Sequence, residues 1–190
     1  MLFRVEDSGQ GMRMKSRHQA NILVVMGVSG VGKTVVAEAL AHKLHCCFQE
    51  GDALHSKSNV AKMSSGQPLT DCDRKPWLQT IAEWITKQSL SGQCGIITCS
   101  ALKRSYRKVI IGQHENVRVV YLKCTEAVIE ARLKMRKHHF MPAGLLKSQL
   151  DTLEEPVGEE NPITVDASKS IEEVISEILS SVGFQEEQLP

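Results

Sequence analysis

Short apolar runs alternate with stretches of helical period along most of the chain. Five runs stand out: "NILVVM" at 21–26, "CCFQEG" at 46–51, "GIITCS" at 95–100, "VRVVYLKC" at 117–124 and "PITVD" at 162–166. Runs that are apolar at consecutive positions are covered on both faces, as in a parallel sheet. Strands separated by helices predict a three-layer α/β/α sandwich around a five-stranded parallel sheet. The helical stretches carry start signals. Thr125 stands before "EAVIEARLKM", and Ser170 with Glu173 forms a capping box ahead of "VISEIL". In the long excursion after the second run, Trp77, Ile81, Trp84 and Ile85 recur at helical spacing, with Pro76 placed in the first turn. Both tryptophans read as core. The pattern predicts a single domain over 21–185, with the excursion from Ala53 to Gln93 and the stretch around residues 135–150 as subdomains on one core. The polar segment 1–20 reads as a disordered tail.

Length and charge narrow the classes. A chain of 190 residues buries roughly 70% of its unfolded surface and needs no covalent staple. Its formal net charge is +1, without the basic excess of a nucleic-acid binder. No apolar run reaches membrane-spanning length, and the N-terminus lacks the apolar core of a secretory signal. The six cysteines form no CxxC and no zinc-like spacing. They predict reduced, mostly buried small residues in a reducing compartment, with Cys72 exposed among charges.

The strongest chemical signal is "GVSGVGKT", which is Gly27, Val28, Ser29, Gly30, Val31, Gly32, Lys33 and Thr34. It matches G-x-x-x-x-G-K-[ST] between a predicted strand and a predicted helix. The glycines let backbone N–H groups turn toward phosphate oxygens, and the helix start adds its positive dipole. Lys33 supplies a charge for the β- and γ-phosphates of ATP, and the Thr34 hydroxyl is placed to ligate Mg²⁺. The acceptor is sought at the same carboxyl edge of the sheet. There "QEGDALH" places Asp52, suited to orient a substrate hydroxyl toward the γ-phosphate; the competing role is a turn residue capping "SKSNVAKM".

Two basic clusters follow. In "SALKRSYRK", Ser100 reads as an N-cap, which puts Lys103 and Arg104 in the first turn. Each cation at that end costs roughly 0.3–1 kcal/mol, an arrangement that suits an anionic guest, a phosphate or a carboxylate. A solvated basic face is the competing reading. In "EARLKMRKHHF", Arg132 and Arg136 lie four apart on one face of a lid helix, with Lys134, Lys137, His138 and His139 beside them. A lid arginine meeting the transferring group contributes roughly 10³–10⁵ in rate. Spacing alone therefore supports a Mg-ATP-dependent kinase of a small anionic, hydroxylated molecule. A shikimate kinase, a nucleotide kinase and a non-catalytic ATP-binding module are the rivals.

The segments "MGVSGVGKT", "GDALH", "NVAKMSSGQPLTDCDRKPWLQ", "CSALKRSYR", "HHFMP", "LLKSQLDTLEEP" and "ITVD" resemble the gluconokinase family. That family belongs with the shikimate-kinase-like and NMP-kinase-like P-loop kinases. The resemblance runs in order through residues 22–166. It implies ATP-dependent phosphorylation of D-gluconate at its 6-hydroxyl by a cytoplasmic homodimer, with a helical substrate insert at about 54–92 and a lid at about 134–150. Carried over, it implies catalytic roles for Lys33, Asp52 and Arg136 and a place for Arg132 at the ATP phosphates or adenine. His55, Arg74, Lys103 and Arg104 would surround gluconate with Asp52. Val31, Ala53, His138 and Leu150 depart from the commonest family residues, and Ala53 bears most on the sugar site.

Overall fold

The computed structural model describes residues 21–135 and 143–183. The predicted tail and the lid residues Arg136, Lys137, His138 and His139 lie outside the described residues. The five predicted strands form within the windows set by the apolar runs: β1 Ile22–Met26, β2 Cys47–Gln49, β3 Gly95–Thr98, β4 Val117–Lys123 and β5 Ile163–Asp166. They make one parallel sheet in the order β2-β3-β1-β4-β5. The helices are α1 Lys33–Leu44, α2 Lys57–Ser64, α3 Asp71–Ser91, α4 Arg104–Ile111, α5 Glu126–Met135, α6 Ala143–Thr152 and α7 Ile171–Ser181.

The central strand shows why its sequence is apolar throughout. Leu23 and Val25 enter a core shared with α1 and α7, while Ile22, Val24 and Met26 enter a second core shared with α3 and α4. The predicted helical insert supplies Trp77, Ile81 and Ile85 to that second core, and Trp84 is half-buried at its margin.

Three expectations are corrected. Pro76 lies in the second turn of α3, not the first, because Thr70 caps the helix at Asp71 through a reciprocal capping box with Asp73. Ser100 is not an N-cap: α4 begins at Arg104, with Lys103 as its extended N-cap. The chain breaks at Ala101, whose φ of 44° is left-handed. The backbone there is engaged elsewhere: the Leu102 carbonyl accepts from the Glu154 N–H, and the Ala101 carbonyl accepts from Arg107. The cysteines are neither all reduced nor mostly buried. Cys46 and Cys94 form a disulfide with Cα–Cα 5.0 Å. The cause is register: Cys47 pairs with Gly95, so the two preceding residues face each other at the start of β2 and β3. Of the other four, Cys47 and Cys72 are exposed, Cys124 is half-buried and Cys99 is buried. Burial pushes the Cys99 thiol up to about 12.

Candidate active site

The Gly27–Thr34 loop links the carboxyl end of β1 to α1. Gly27 has φ 142°, and a Cβ there would stand 2.9 Å from the Leu122 carbonyl oxygen. A larger residue would push the loop off the sheet edge. Gly32, also left-handed, is the N-cap of α1 and has no side chain to cover the first-turn N–H groups. Those groups are the ready-made anion site of a helix start. Lys33 Nζ donates to the Val28 carbonyl at 3.2 Å, which folds its charge over the loop.

The Thr34 hydroxyl donates to Glu50 Oε2 at 2.7 Å. Glu50 follows β2, so β2 delivers a carboxylate to the first turn of α1. Thr98, at the end of β3, donates its hydroxyl to Glu50 Oε1 and accepts from the Gly51 N–H at 2.9 Å. Trp77 Nε1 donates to the Gly51 carbonyl at 2.8 Å. The turn carrying Glu50 and Asp52 is thus held from two sides. A Cβ on Gly51 would lie 1.9 Å from the Thr98 carbonyl oxygen. Gly51→Ala is expected to displace this turn and cost about 1–3 kcal/mol, the usual range for overpacking; urea unfolding measures it, and phosphoryl transfer falls with it.

Asp52 is exposed in the short 3₁₀ turn Gly51–Leu54. The helix-cap role falls to Ser56, which accepts from the Asn59 N–H. His55 stacks on Trp77, ring centroids 4.1 Å apart at 17°. Burial lowers the His55 pKa, Asp52 opposes that, and Arg74 adds to it, so the three share one electrostatic neighbourhood. Beyond them, Lys103 Nζ meets both Asp71 carboxylate oxygens at 2.8 and 2.9 Å. Lys103 and Arg74 lie 5.4 and 5.8 Å from the Tyr106 ring centre. The Tyr106 hydroxyl donates to Asp71. Hydrogen bonds from Lys103 and Tyr106 hold the Asp71 carboxyl below its ordinary range.

The structure therefore gathers Asp52, His55 and Arg74, with Lys103 joined to Arg74 through Tyr106 and Asp71. It does not bring Arg104 to them. Arg104 directs its guanidinium to Glu159, and its N–H donates to Glu154 Oε2 at 2.7 Å. The helix start with two cations is answered by the chain's own carboxylates. Arg132 reaches the loop from behind, donating to the Val31 and Ala167 carbonyls at 2.8 and 2.6 Å. Sequence reasoning missed Glu50, Thr98, Asp71, Tyr106 and Gln149. For Glu50 a signal existed, an acid at a strand's carboxyl end within "QEGDALH". For Gln149, whose Oε1 accepts from the Ser29 N–H at 2.7 Å, nothing local points to the loop.

A strand–loop–helix phosphate cradle, beside an acid-bearing turn on a parallel sheet, defines a P-loop kinase. A family model described as an AAA domain matches residues 22–156. The chain is 50% identical over 157 residues to a gluconokinase of Gluconobacter oxydans, a match covering 83% of this chain and 88% of the relative. It is 41% identical over 168 residues to the thermoresistant gluconokinase of Escherichia coli, covering 88% and 96%. Among solved structures, a gluconokinase from Sinorhizobium meliloti superposes with a TM-score of 0.79 at 43% identity, covering 88% of this chain and 94% of that one. The chain belongs to the gluconokinase family.

Proposed function

We propose that this chain transfers the γ-phosphoryl group of ATP to the 6-hydroxyl of D-gluconate, giving 6-phospho-D-gluconate and ADP. Membership of the gluconokinase family carries the reading. What supports it is an exposed Asp52 on the turn that Glu50 ties to Thr34, with Arg74 in its electrostatic neighbourhood and Lys103 next to Arg74 across Tyr106, a match for a substrate with a hydroxyl at one end and a carboxylate at the other. Gly27 to Thr34 cradle the phosphates, and Lys33 follows the transferring charge. Asp52 orients the 6-hydroxyl and takes its proton. His55 lines the polyol, and Arg74 with Lys103 meets the carboxylate. Arg132 braces the loop near the nucleotide, and Arg136 is assigned to the transferring group. Arg104, held by Glu154 and Glu159, is given no contact with gluconate in this reading.

The donor set fits a magnesium ion. A hydroxyl and a carboxylate oxygen, Thr34 Oγ1 and Glu50 Oε2, already meet at 2.7 Å, and hard oxygen ligands are what Mg²⁺ takes. Thr34 would hold the ion, with Glu50 beside it. When bound, Mg²⁺ neutralises charge on the phosphate oxygens. No helix among the described residues is long and apolar enough to cross a membrane. A cytoplasmic location and a homodimer belong to this proposal, on the strength of the family resemblance; sedimentation tests the second.

The test is ADP release by purified protein with gluconate, shikimate or AMP as acceptor. Gluconate is expected to drive turnover and the other two are not. Turnover with AMP or shikimate alone overturns the substrate, and ADP release that ignores all acceptors makes the protein an ATPase. Asp52→Asn keeps a hydrogen-bonding group but removes the proton acceptor. It is expected to lower kcat about 10²-fold, the lower end for a positioned acid–base group, with KM for ATP unchanged.

A further inference from the structure

Gln149 lies on α6, 120 positions from the phosphate loop, yet its side chain ends on that loop. The helix shows why. Leu146 is buried, and Leu150 and Leu153 pack against the same core. Positions 146, 149 and 150 share one helix face, and Leu153 follows directly after the helix end. Gln149 is thus a polar residue on a core-facing stripe, a position where a side chain needs a partner. Its partner is the Ser29 N–H, at 2.7 Å.

That contact settles the orientation of the amide. A backbone N–H only donates, so the atom it meets is the side-chain oxygen. The NH₂ pole then faces the other way, with two donors on the same rigid plane. Ser29 belongs to the loop whose N–H groups turn toward phosphate oxygens. An amide anchored on Ser29 carries its NH₂ pole within about one amide width of that loop.

We propose that Gln149 is a catalytic residue. With Oε1 anchored on the Ser29 N–H, Nε2 donates to an oxygen of the transferring phosphoryl group. The inference rests on the phosphoryl-transfer reading above. In that step the acceptor oxygen bonds to the γ-phosphorus and the bond to the β–γ bridging oxygen breaks. The acceptor's proton passes to Asp52, and ADP leaves with the electron pair. Gln149 gains and loses no proton; it stabilises charge as it spreads over the phosphoryl oxygens.

Two substitutions separate donating from anchoring. Gln149→Ala removes both poles. Gln149→Glu keeps an oxygen for the Ser29 N–H but replaces the donor with a negatively charged acceptor. At pH 8, with folding checked by thermal melts, Gln149→Ala is expected to lower gluconate-dependent kcat about 10²-fold, as for loss of one preorganised donor. Gln149→Glu is expected to fall about tenfold further, with KM for gluconate within about threefold in both. A Gln149→Glu enzyme more active than Gln149→Ala would show that the side chain only anchors the loop, and would overturn the proposal. So would a Gln149→Ala enzyme within about threefold of the wild type. A wild type that releases no ADP with gluconate overturns the functional reading, and this inference with it.

Discussion

Lys33→Ala is expected to lower gluconate-dependent ADP release about 10³-fold, or ~4 kcal/mol at 1.36 kcal/mol per decade. Lys33 is the first residue of α1, and its ammonium already reaches across the loop to the Val28 carbonyl. The same reach lets it follow charge from the β-phosphate to the transferring phosphoryl group. Removing it takes away a full charge from a site organised around anions, so the loss belongs at the upper end for a single preorganised donor. Lys33→Arg is not expected to rescue, because a planar fork cannot replace a compact point charge inside a cradle of backbone amides. The fold is expected to survive both changes. Lys33 is half-buried and supplies no side chain to either core, so most of the loss is expected in activity and not in stability. Steady-state kinetics and a thermal melt on the same samples separate the two effects; near-normal turnover by Lys33→Ala would remove the loop from the mechanism.

The sheet was legible because burial on both faces leaves an unbroken apolar run, and no other element of this chain writes one so short. Strand β1 is the plainest case, buried at every position. The phosphate loop was legible because its geometry depends on residues adjacent in sequence. What escaped depends on partners far along the chain. Glu50 meets Thr34 across 16 positions and Gln149 meets Ser29 across 120. The Cys46–Cys94 bond follows from β2–β3 register, which no local pattern states. Arg104 looked like Lys103's twin, and only the segment between α6 and β5, which carries Glu154 and Glu159, turns it away. The start of α3 was within reach: Thr70 and Asp73 have capping-box spacing, and the nearby proline outweighed it.

The largest loss of stability is expected at Arg107, a residue that no motif marks. Its side chain is 1% exposed. Nε and Nη2 hold both carboxylate oxygens of Glu160 at 2.6 and 2.9 Å. Nη1 donates to the carbonyls of Ala101 and Glu154 at 3.0 and 2.9 Å. One guanidinium thus ties α4 to the break before it and to the segment after α6. Arg107→Leu leaves a nearly buried carboxylate and two carbonyls without their donor. Breaking a buried pair from one side costs about 3–5 kcal/mol, or about 6–20 °C in Tm for a domain of this size. The pair also sets a pH response. Hydrogen bonding from Arg107 lowers the Glu160 pKa from its ordinary 4.5. A depressed carboxyl contributes stability that is complete above the unfolded pKa and lost as pH falls through the folded one. Arg107→Leu is therefore expected to flatten the acid side of the stability curve below about pH 4.5. A second variant tests the cause: adding Glu160→Leu removes the stranded charge and is expected to recover more than half of the loss, since apolar replacements of a whole buried pair are often neutral. Urea unfolding of both variants decides it. If the double variant is no more stable than Arg107→Leu, the loss lies in the abandoned carbonyls and not in the ion pair.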